Sequence, residues 1–364
     1  MPFRYAKPMR RILLLITDLE IGGTPTVVRE LAIRLRAAGG CEVEVACLKG
    51  WGPVATQLQQ AGVTVKAFAA TAAMDFSAVV GELRQYIRDR NIDTVFSFLV
   101  HSNAVAAMAS RGMTGVRWLQ SIQTTQPSPR WHWWLQRVAQ LAADKVVVPS
   151  ESVAQAARDW ADVPGEKIVV VPNAVDVFRN TDVSPVSARA KKVGFIGRLD
   201  PVKRIPDLIA AVAQLPTDVT LDVWGEGSAR KEIEFTVAKF GLADRVTLHG
   251  AIASPAVALQ QIDCLVLPSM AEGFGLVLIE AMNAGVPVVA TNVAGIRDVV
   301  RHEYNGLLVP VNNPASLAAA IGRVLAEPAL REKLIANGHR EVAARFSWDR
   351  VLAMYRAALE IVPS

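Results

Sequence analysis

The segment Ser269-Met-Ala-Glu272-Gly-Phe274-Gly-Leu-Val-Leu-Ile-Glu280-Ala-Met282 follows a short apolar run, Cys264-Leu-Val-Leu-Pro268. That run has the length and composition of a buried strand. Gly273 and Gly275 then break the chain, and Leu276 to Ala284 predicts a helix stopped at Gly285. Glu272 is therefore expected in a loop at a strand's carboxyl end, and Glu280 near the second turn of the helix. The free N–H groups of that helix start, from Phe274 through Gly275 and Leu276 to Val277, suit a phosphate. Glycine lets such a backbone approach a ligand closely. One carboxylate before the helix and one inside it can grip sugar hydroxyls on either side of a diphosphate. A surface loop with a helix-capping Glu272 and a solvated Glu280 has the same spacing.

A second segment has matching chemistry. Val193-Gly-Phe-Ile-Gly197 reads as a strand entering a tight turn, followed by Arg198-Leu-Asp-Pro-Val-Lys203 and an apolar helix from about Pro206. Two cations beside a glycine turn make a diphosphate clamp, with arginine as a bidentate fork and lysine as a mobile point charge. A basic loop neutralised by Asp200 is the plainer reading of this element taken alone.

In this order, the two segments resemble the G-R-L-x-x-x-K and E-x-F-G-x-x-x-x-E elements of family 4 retaining glycosyltransferases of the GT-B fold (glycosyl transferases group 1). The resemblance implies that Arg198 and Lys203 hold the donor's phosphates, Glu272 the hydroxyls of the transferred sugar and Glu280 the nucleotide ribose. It implies an α/β chain with two doubly wound Rossmann-like domains facing a central cleft.

The rhythm of the chain agrees with such an architecture. Apolar runs at 11–16, 43–48, 63–68, 93–98, 116–122, 145–149 and 168–171 alternate with helical patterns, and runs at 192–196, 220–224, 245–249, 264–268, 287–290 and 307–309 repeat the alternation. Strands alternating with helices predict mostly parallel sheets covered by helices, with ligands beyond the strands' carboxyl ends. The polar stretch Phe178 to Ala190 reads as a linker. The expected domains are 1–180 on the acceptor side, 181–345 for the nucleotide sugar, and a terminal helix over 346–364. Ser347 is read as that helix's cap, and the family resemblance implies that the helix packs back on the first domain.

Composition bounds the rest. With 364 residues, 51% hydrophobic and 20% charged, the chain is long enough for two well-packed soluble domains. Cys41, Cys47 and Cys264 are too few and scattered for a disulfide framework or a zinc site, which fits a reducing cytosol. The basic lead-in before Ile12-Leu-Leu-Leu-Ile16 is followed at once by Asp18 and Glu20, so it reads as the approach to a first strand rather than a signal peptide. No run approaches the roughly 18–20 apolar residues that span a bilayer. The net charge of +5 lies wholly in the first half: residues 1–180 hold 20 Lys+Arg against 15 Asp+Glu, and residues 181–364 hold 19 of each. Chance accounts for so mild a bias, and so does a face turned toward anionic lipid or a phosphorylated acceptor.

Further candidates lie in the first half. Gly22-Gly23 follows the first strand and precedes a helix expected over Val27 to Ala37. It resembles the family's early Gly-Gly loop between donor and acceptor, although a simple turn has the same form. It is not G-x-G-x-x-G, and no acidic residue closes the second strand, which argues against NAD. In Asp93-Thr-Val-Phe96-Ser-Phe98-Leu-Val-His101-Ser-Asn103, phenylalanines stand where many family members have histidines. That departure puts a histidine-dependent role there in doubt. His101 and Asn103 remain acceptor contacts, or a helix cap with an incidental histidine. Val171-Pro-Asn173-Ala174-Val-Asp176 resembles the family's P-N-G-V-D hinge with Ala174 for glycine. The turns at Trp224-Gly225-Glu-Gly227 and Gly295-Ile-Arg297-Asp298 read as packing or as pocket lining. Trp118, Trp131, Trp133 and Trp134 lie near Arg117, Arg130 and Arg137. Tryptophan beside arginine suits a membrane interface, while the helical spacing of Trp131, Trp134, Val138 and Leu141 reads as a core stripe.

Taken with the resemblance, these observations lead to a retaining, metal-independent hexosyltransferase using a UDP- or GDP-linked sugar and no cofactor. No Asp-x-Asp follows a strand to hold a metal. Its acceptor is expected to be an oligosaccharide or lipid-linked glycan of cell-envelope polysaccharide or lipopolysaccharide synthesis, met at the inner face of the cell membrane. No nucleic acid is expected as a partner. A GT-B-fold epimerase or phosphorylase, or a non-catalytic sugar-nucleotide-binding module, is the alternative. Donor-dependent product formed with lipid extracts separates the three.

Overall fold

Ile12 to Ile16 are fully buried, because the strand that carries them is covered on both faces, as a parallel sheet between helices requires. The computed structural model describes residues 9–71, 75–177, 191–252 and 254–361. The stretch read as a linker, Phe178 to Ala190, and residues 1–8 of the basic lead-in lie outside the described residues, as does the expected boundary at 180/181.

The first sheet contains β1 (Arg10–Ile16), β2 (Cys41–Cys47), β3 (Thr64–Ala67), β4 (Thr94–Phe98), β5 (Arg117–Ser121), β6 (Lys145–Val148) and β7 (Ile168–Val170). The second contains β8 (Lys191–Ile196), β9 (Val219–Trp224), β10 (Val246–Gly250), β11 (Cys264–Leu267), β12 (Val288–Thr291) and β13 (Leu307–Val309). Every apolar run in the sequence is thus a strand, shifted by a residue or two at its ends. All described pairings are parallel, in the orders β3-β2-β1-β4-β5-β6-β7 and β10-β9-β8-β11-β12-β13. Both are doubly wound. In each sheet the first strand sits centrally, and the connections on its two sides run in opposite directions. That leaves a crevice at the carboxyl ends of β1 and β4, and another at those of β8 and β11, where such sheets bind ligands.

Two units divide the chain. One takes in the chain to Gln123, Pro127–Val171 and Val351 onward; the other takes in Thr124–Gln126 and Pro172–Arg350. The final helix, Trp348–Ala358, therefore has most of its length in the first unit. Tyr355 is fully buried there against Phe96, with ring centroids 6.3 Å apart, and Arg356 donates to the Gly39 carbonyl at 2.9 Å. Phe96 and Phe98 are themselves fully buried, with tilted rings whose centroids lie 4.2 Å apart. The positions where the family resemblance implied histidines are filled here by core aromatics.

Replacing Tyr355 by Ala should destabilise the first unit by about 3–5 kcal/mol, the usual cost of deleting a fully buried aromatic. Urea unfolding followed by circular dichroism reads this. A loss below about 1 kcal/mol would mean that the terminal helix contributes little to that core.

Candidate active site

The carboxyl end of β8 runs directly into Gly197, and that of β11 into Pro268 and Ser269, so the two motif loops start on adjacent strands. They are tied together by their backbones, since Met270 N–H donates to the Val202 carbonyl at 2.8 Å. The turn Pro201–Lys203 then turns the lysine toward the second loop. Lys203 Nζ forms an ion pair with Glu272 Oε1, and both side chains are largely withdrawn from solvent. Ser269, fully buried, donates its hydroxyl to the same Oε1 at 2.9 Å.

The other expected cation behaves differently. Arg198 is exposed and pairs with Asp200 at 3.0 Å, so the neutralised loop foreseen as the plainer reading is part of the picture. Arg204, in the left-handed region at φ 54°, is held bidentately by Asp207 through bonds of 3.0 and 2.9 Å. Lys203 is thus the cation that points from this loop to the Glu272 carboxylate.

The helix after Glu272 runs over Leu276–Asn283, with Gly275 as its N-cap at φ 81°. No side chain caps it, and its first turn holds no acidic residue, so Gly275 and Leu276 open onto an electropositive helix start. A β-carbon on Gly275 would lie 2.9 Å from Leu278 Cδ1, in a backbone region that side chains rarely adopt. Phe274 presents only backbone: its ring is buried edge-on to Phe346 at 5.5 Å. Glu280 lies at the fifth position of this helix, half-buried.

Several residues that looked incidental in the sequence shape these loops. A β-carbon on Gly225 would sit 1.9 Å from the Gly197 carbonyl oxygen, and one on Gly227 would sit 2.5 Å from that of Leu199. One on Gly295 would sit 2.2 Å from the Glu272 carbonyl oxygen. These glycines let neighbouring loops press against the two motif loops; Trp224 itself is core, stacked on His249 at 4.7 Å. Thr125, which no pattern singled out, donates its hydroxyl to the Glu272 carbonyl at 2.6 Å. At the hinge segment, Ala174 avoids positive φ, so the missing glycine costs no strain there.

In the first unit, Gly22 is the extended N-cap of a helix that starts at Gly23, four residues earlier than the expected Val27. A β-carbon on Gly23 would meet nothing within 4 Å, and one on Gly22 only the Pro25 ring at 3.6 Å. Packing within the unit gives no reason for two glycines here. His101 opens the helix Val100–Ser110 beyond β4 and lies 5.7 Å from the Trp131 ring and 5.8 Å from that of His132. Burial, then the neighbouring His132 and Lys49, hold the His101 pKa below the ordinary histidine value, and burial alone lowers that of His132.

Two expectations need correction. Asn103 is fully buried rather than facing a ligand: it accepts from Ser97 at 2.8 Å and donates to the Ser121 carbonyl at 3.0 Å and to Gln136 at 2.8 Å. Its hydrogen-bonding groups are spent inside the unit. The tryptophan helix, Arg130–Ala139, is also turned the opposite way from the core-stripe reading. Trp133, Gln136 and Ala139 face inward, while Trp131, Trp134, Val138 and Leu141 are exposed. The reason is a buried polar network, in which Gln136 donates to Gln120 at 2.9 Å and Gln120 to the Ala139 carbonyl at 2.8 Å.

Among the described residues, no three His, Cys, Asp or Glu side chains are grouped to hold a metal ion, and no helix is long and apolar enough to cross a membrane.

Two parallel α/β units with these strand orders define the GT-B class, and solved structures agree. The chain superimposes on Anabaena HepE in complex with UDP and glucose with a TM-score of 0.87 at 23% identity, covering 97% of this chain and 100% of that one. For the sucrose-phosphate synthase of Thermosynechococcus elongatus the TM-score is 0.83 at 25% identity, with the same coverage. Residues 21–179 match the family described as Glycosyltransferase Family 4, and residues 178–341 match Glycosyl transferases group 1. The chain belongs to the group 1 glycosyltransferases with a family 4 first domain. Curated relatives include D-inositol 3-phosphate glycosyltransferases of Segniliparus rotundus, 36% identical over 240 residues, and of Xylanimonas cellulosilytica, 32% identical over 240 residues. The alignments take in 60% and 58% of this chain and span little more than half of those relatives, 53% and 57%.

Asn103→Ala should lower the melting temperature, because it leaves Ser97, Gln136 and the Ser121 carbonyl short of partners, at about 1–3 kcal/mol per buried group left unpaired. Differential scanning fluorimetry checks this. A variant as stable as the parent, with a weaker acceptor KM, would instead restore the acceptor-contact reading. Gly295→Ala should also lower the melting temperature, because the new methyl group forces the Glu272 loop to move. An unchanged melting curve would show that the loop is not held as described.

Proposed function

We propose that this chain transfers a sugar, with retention of anomeric configuration and without a metal ion, from a nucleotide diphosphate sugar to an oligosaccharide or lipid-linked acceptor. The observation that carries the reading is the convergence of Lys203 and Glu272 at the β8–β11 crevice, beside the uncapped helix start at Gly275. The three features suit three parts of one donor: cation and helix start for the diphosphate, carboxylate for sugar hydroxyls. Glu280, inside the same helix, is assigned to the ribose. Arg198, exposed at the mouth of the β8 loop, exchanges Asp200 for a phosphate oxygen. Gly22 and Gly23 lie where a donor or acceptor approaches the first unit, which supplies the reason for two glycines that packing does not.

On this reading the acceptor hydroxyl attacks the anomeric carbon on the face the diphosphate leaves. The new carbon–oxygen bond forms as the carbon–phosphate-oxygen bond breaks. The electron pair departs with the β-phosphate, and that phosphate takes the acceptor's proton. No protein nucleophile is needed. Lys203, Arg198 and the helix start stabilise the charge that grows on the leaving group. HepE's complex with UDP and glucose supports UDP as the first nucleotide to test. Assembly of cell-envelope polysaccharide or lipopolysaccharide is the proposed setting.

Calorimetry on free nucleotide and on full donor separates the roles. Lys203→Ala should weaken binding of UDP or GDP by about 1.5–3 kcal/mol, as for a lost charge-assisted contact. Glu280→Gln should weaken nucleotide binding as well. Glu272→Gln should leave free-nucleotide affinity nearly intact and depress transfer. Full nucleotide affinity in both Lys203→Ala and Glu280→Gln would remove the donor-site assignment, and retention is read from the product's anomeric proton by NMR.

A further inference from the structure

The helix Arg130–Ala139 and the turn after it present an apolar seam to solvent. Trp131 is 52% exposed, Trp134 65%, Val138 44% and Leu141 72%. Their spacing of three, four and three residues places them on one side of the helix, while the opposite side is anchored by Trp133, which packs edge-on against Trp160 at 4.9 Å. Two large indoles and two aliphatic side chains left in water along one line are more than the scattered apolar exposure of an ordinary surface.

Charge indicates what covers the seam. The helix carries Arg130 and Arg137 and no acidic residue. Arg137 is shared with Asp162, beyond the next helix, while Arg130 stands exposed at the start of the seam. The first 180 residues also hold the whole excess of positive charge. A symmetric antiparallel pairing of two such helices would set Arg130 of one copy near Arg137 of the other, whose acid, Asp162, is already engaged, so Arg130 would gain no acidic partner from the paired helices. An anionic bilayer surface satisfies the same groups: indoles seat at the headgroup level, aliphatic side chains enter the acyl boundary, and guanidiniums meet lipid phosphates.

We infer that this helix face docks the protein, in the plane of the interface, on a membrane containing anionic lipid. Trp131 ends the seam beside His101 and His132, past the carboxyl ends of β4 and β5. Docking by this face therefore brings the ligand-binding edge of the first sheet to the headgroups, where a lipid-linked acceptor presents its sugar. The inference rests on the transferase reading only for that last purpose; the docking itself needs neither donor nor acceptor.

The test is flotation of the full chain with vesicles of phosphatidylcholine alone or mixed with phosphatidylglycerol, in low and in high salt. The wild type should float with phosphatidylglycerol vesicles in low salt and be released as salt screens the charge. Trp134→Ser combined with Leu141→Ser should reduce the floated fraction at least about fivefold at an unchanged melting temperature, because both side chains are already exposed. Arg130→Glu, which alters no buried contact, should weaken the salt-sensitive part. Absence of flotation by the wild type, or equal flotation by the double variant and by Arg130→Glu, overturns the inference. So does a wild-type dimer in light scattering that the double variant converts to monomer, since the seam would then meet a second copy. Nucleotide calorimetry on the same samples keeps this outcome separate from that of the donor site.

Discussion

The ion pair between Lys203 and Glu272 is the contact around which the second unit's candidate site is organised. Each partner is drawn from a loop after a different strand, β8 or β11, and the two strands are neighbours only because the sheet is doubly wound. Withdrawing both charges from water is costly, and removing one partner alone strands the other. Ser269 and the Met270–Val202 backbone bond hold the pair in one geometry. On the proposed reading, a nucleotide diphosphate sugar offers each partner a replacement, phosphate oxygens for the lysine and sugar hydroxyls for the glutamate. On that reading the two charges satisfy each other until such a donor arrives.

Precision in this site comes largely from missing atoms. At Gly225, Gly227 and Gly295 a single methyl group would collide with the backbone of a motif loop. Those collisions explain why loops from β9 and the segment after β12 can buttress Gly197 and Glu272 so closely. Thr125 adds a hydroxyl to the Glu272 carbonyl from far away in sequence. Catalytic chemistry of the proposed kind depends on donors held in place before the charge develops, and these contacts restrain the backbone that carries them.

The strands were legible because parallel strands covered on both faces read as unbroken apolar runs, as in Ile12 to Ile16 or Leu265 to Leu267. The residues brought together at the β8–β11 crevice were legible from motif spacing and resemblance. What local pattern could not show was partnership. It gave Lys203 and Glu272 as separate ligands of a donor, with no sign that they face each other in its absence. Asn103 looked like a polar residue at a helix start, and only the fold shows Ser97, Ser121 and Gln136 closing around it. Periodicity marked Trp131, Trp134, Val138 and Leu141 as one face of a helix but not which way the face points. A buried glutamine network holds the other side, so the apolar face is the one left outside. Gly225 and Gly295 were marked only as turns that pack or line a pocket, because the atoms they make room for are distant in sequence.

A double-mutant cycle on Lys203→Met and Glu272→Gln, read as unfolding free energy with and without saturating UDP-sugar or GDP-sugar, measures whether the two residues exchange each other for donor. The two residues should couple favourably in the free protein, by about 1 kcal/mol or more, and the coupling should largely disappear once donor replaces each partner's contact. A coupling that is absent in the free protein, or that persists unchanged with donor bound, would contradict this exchange.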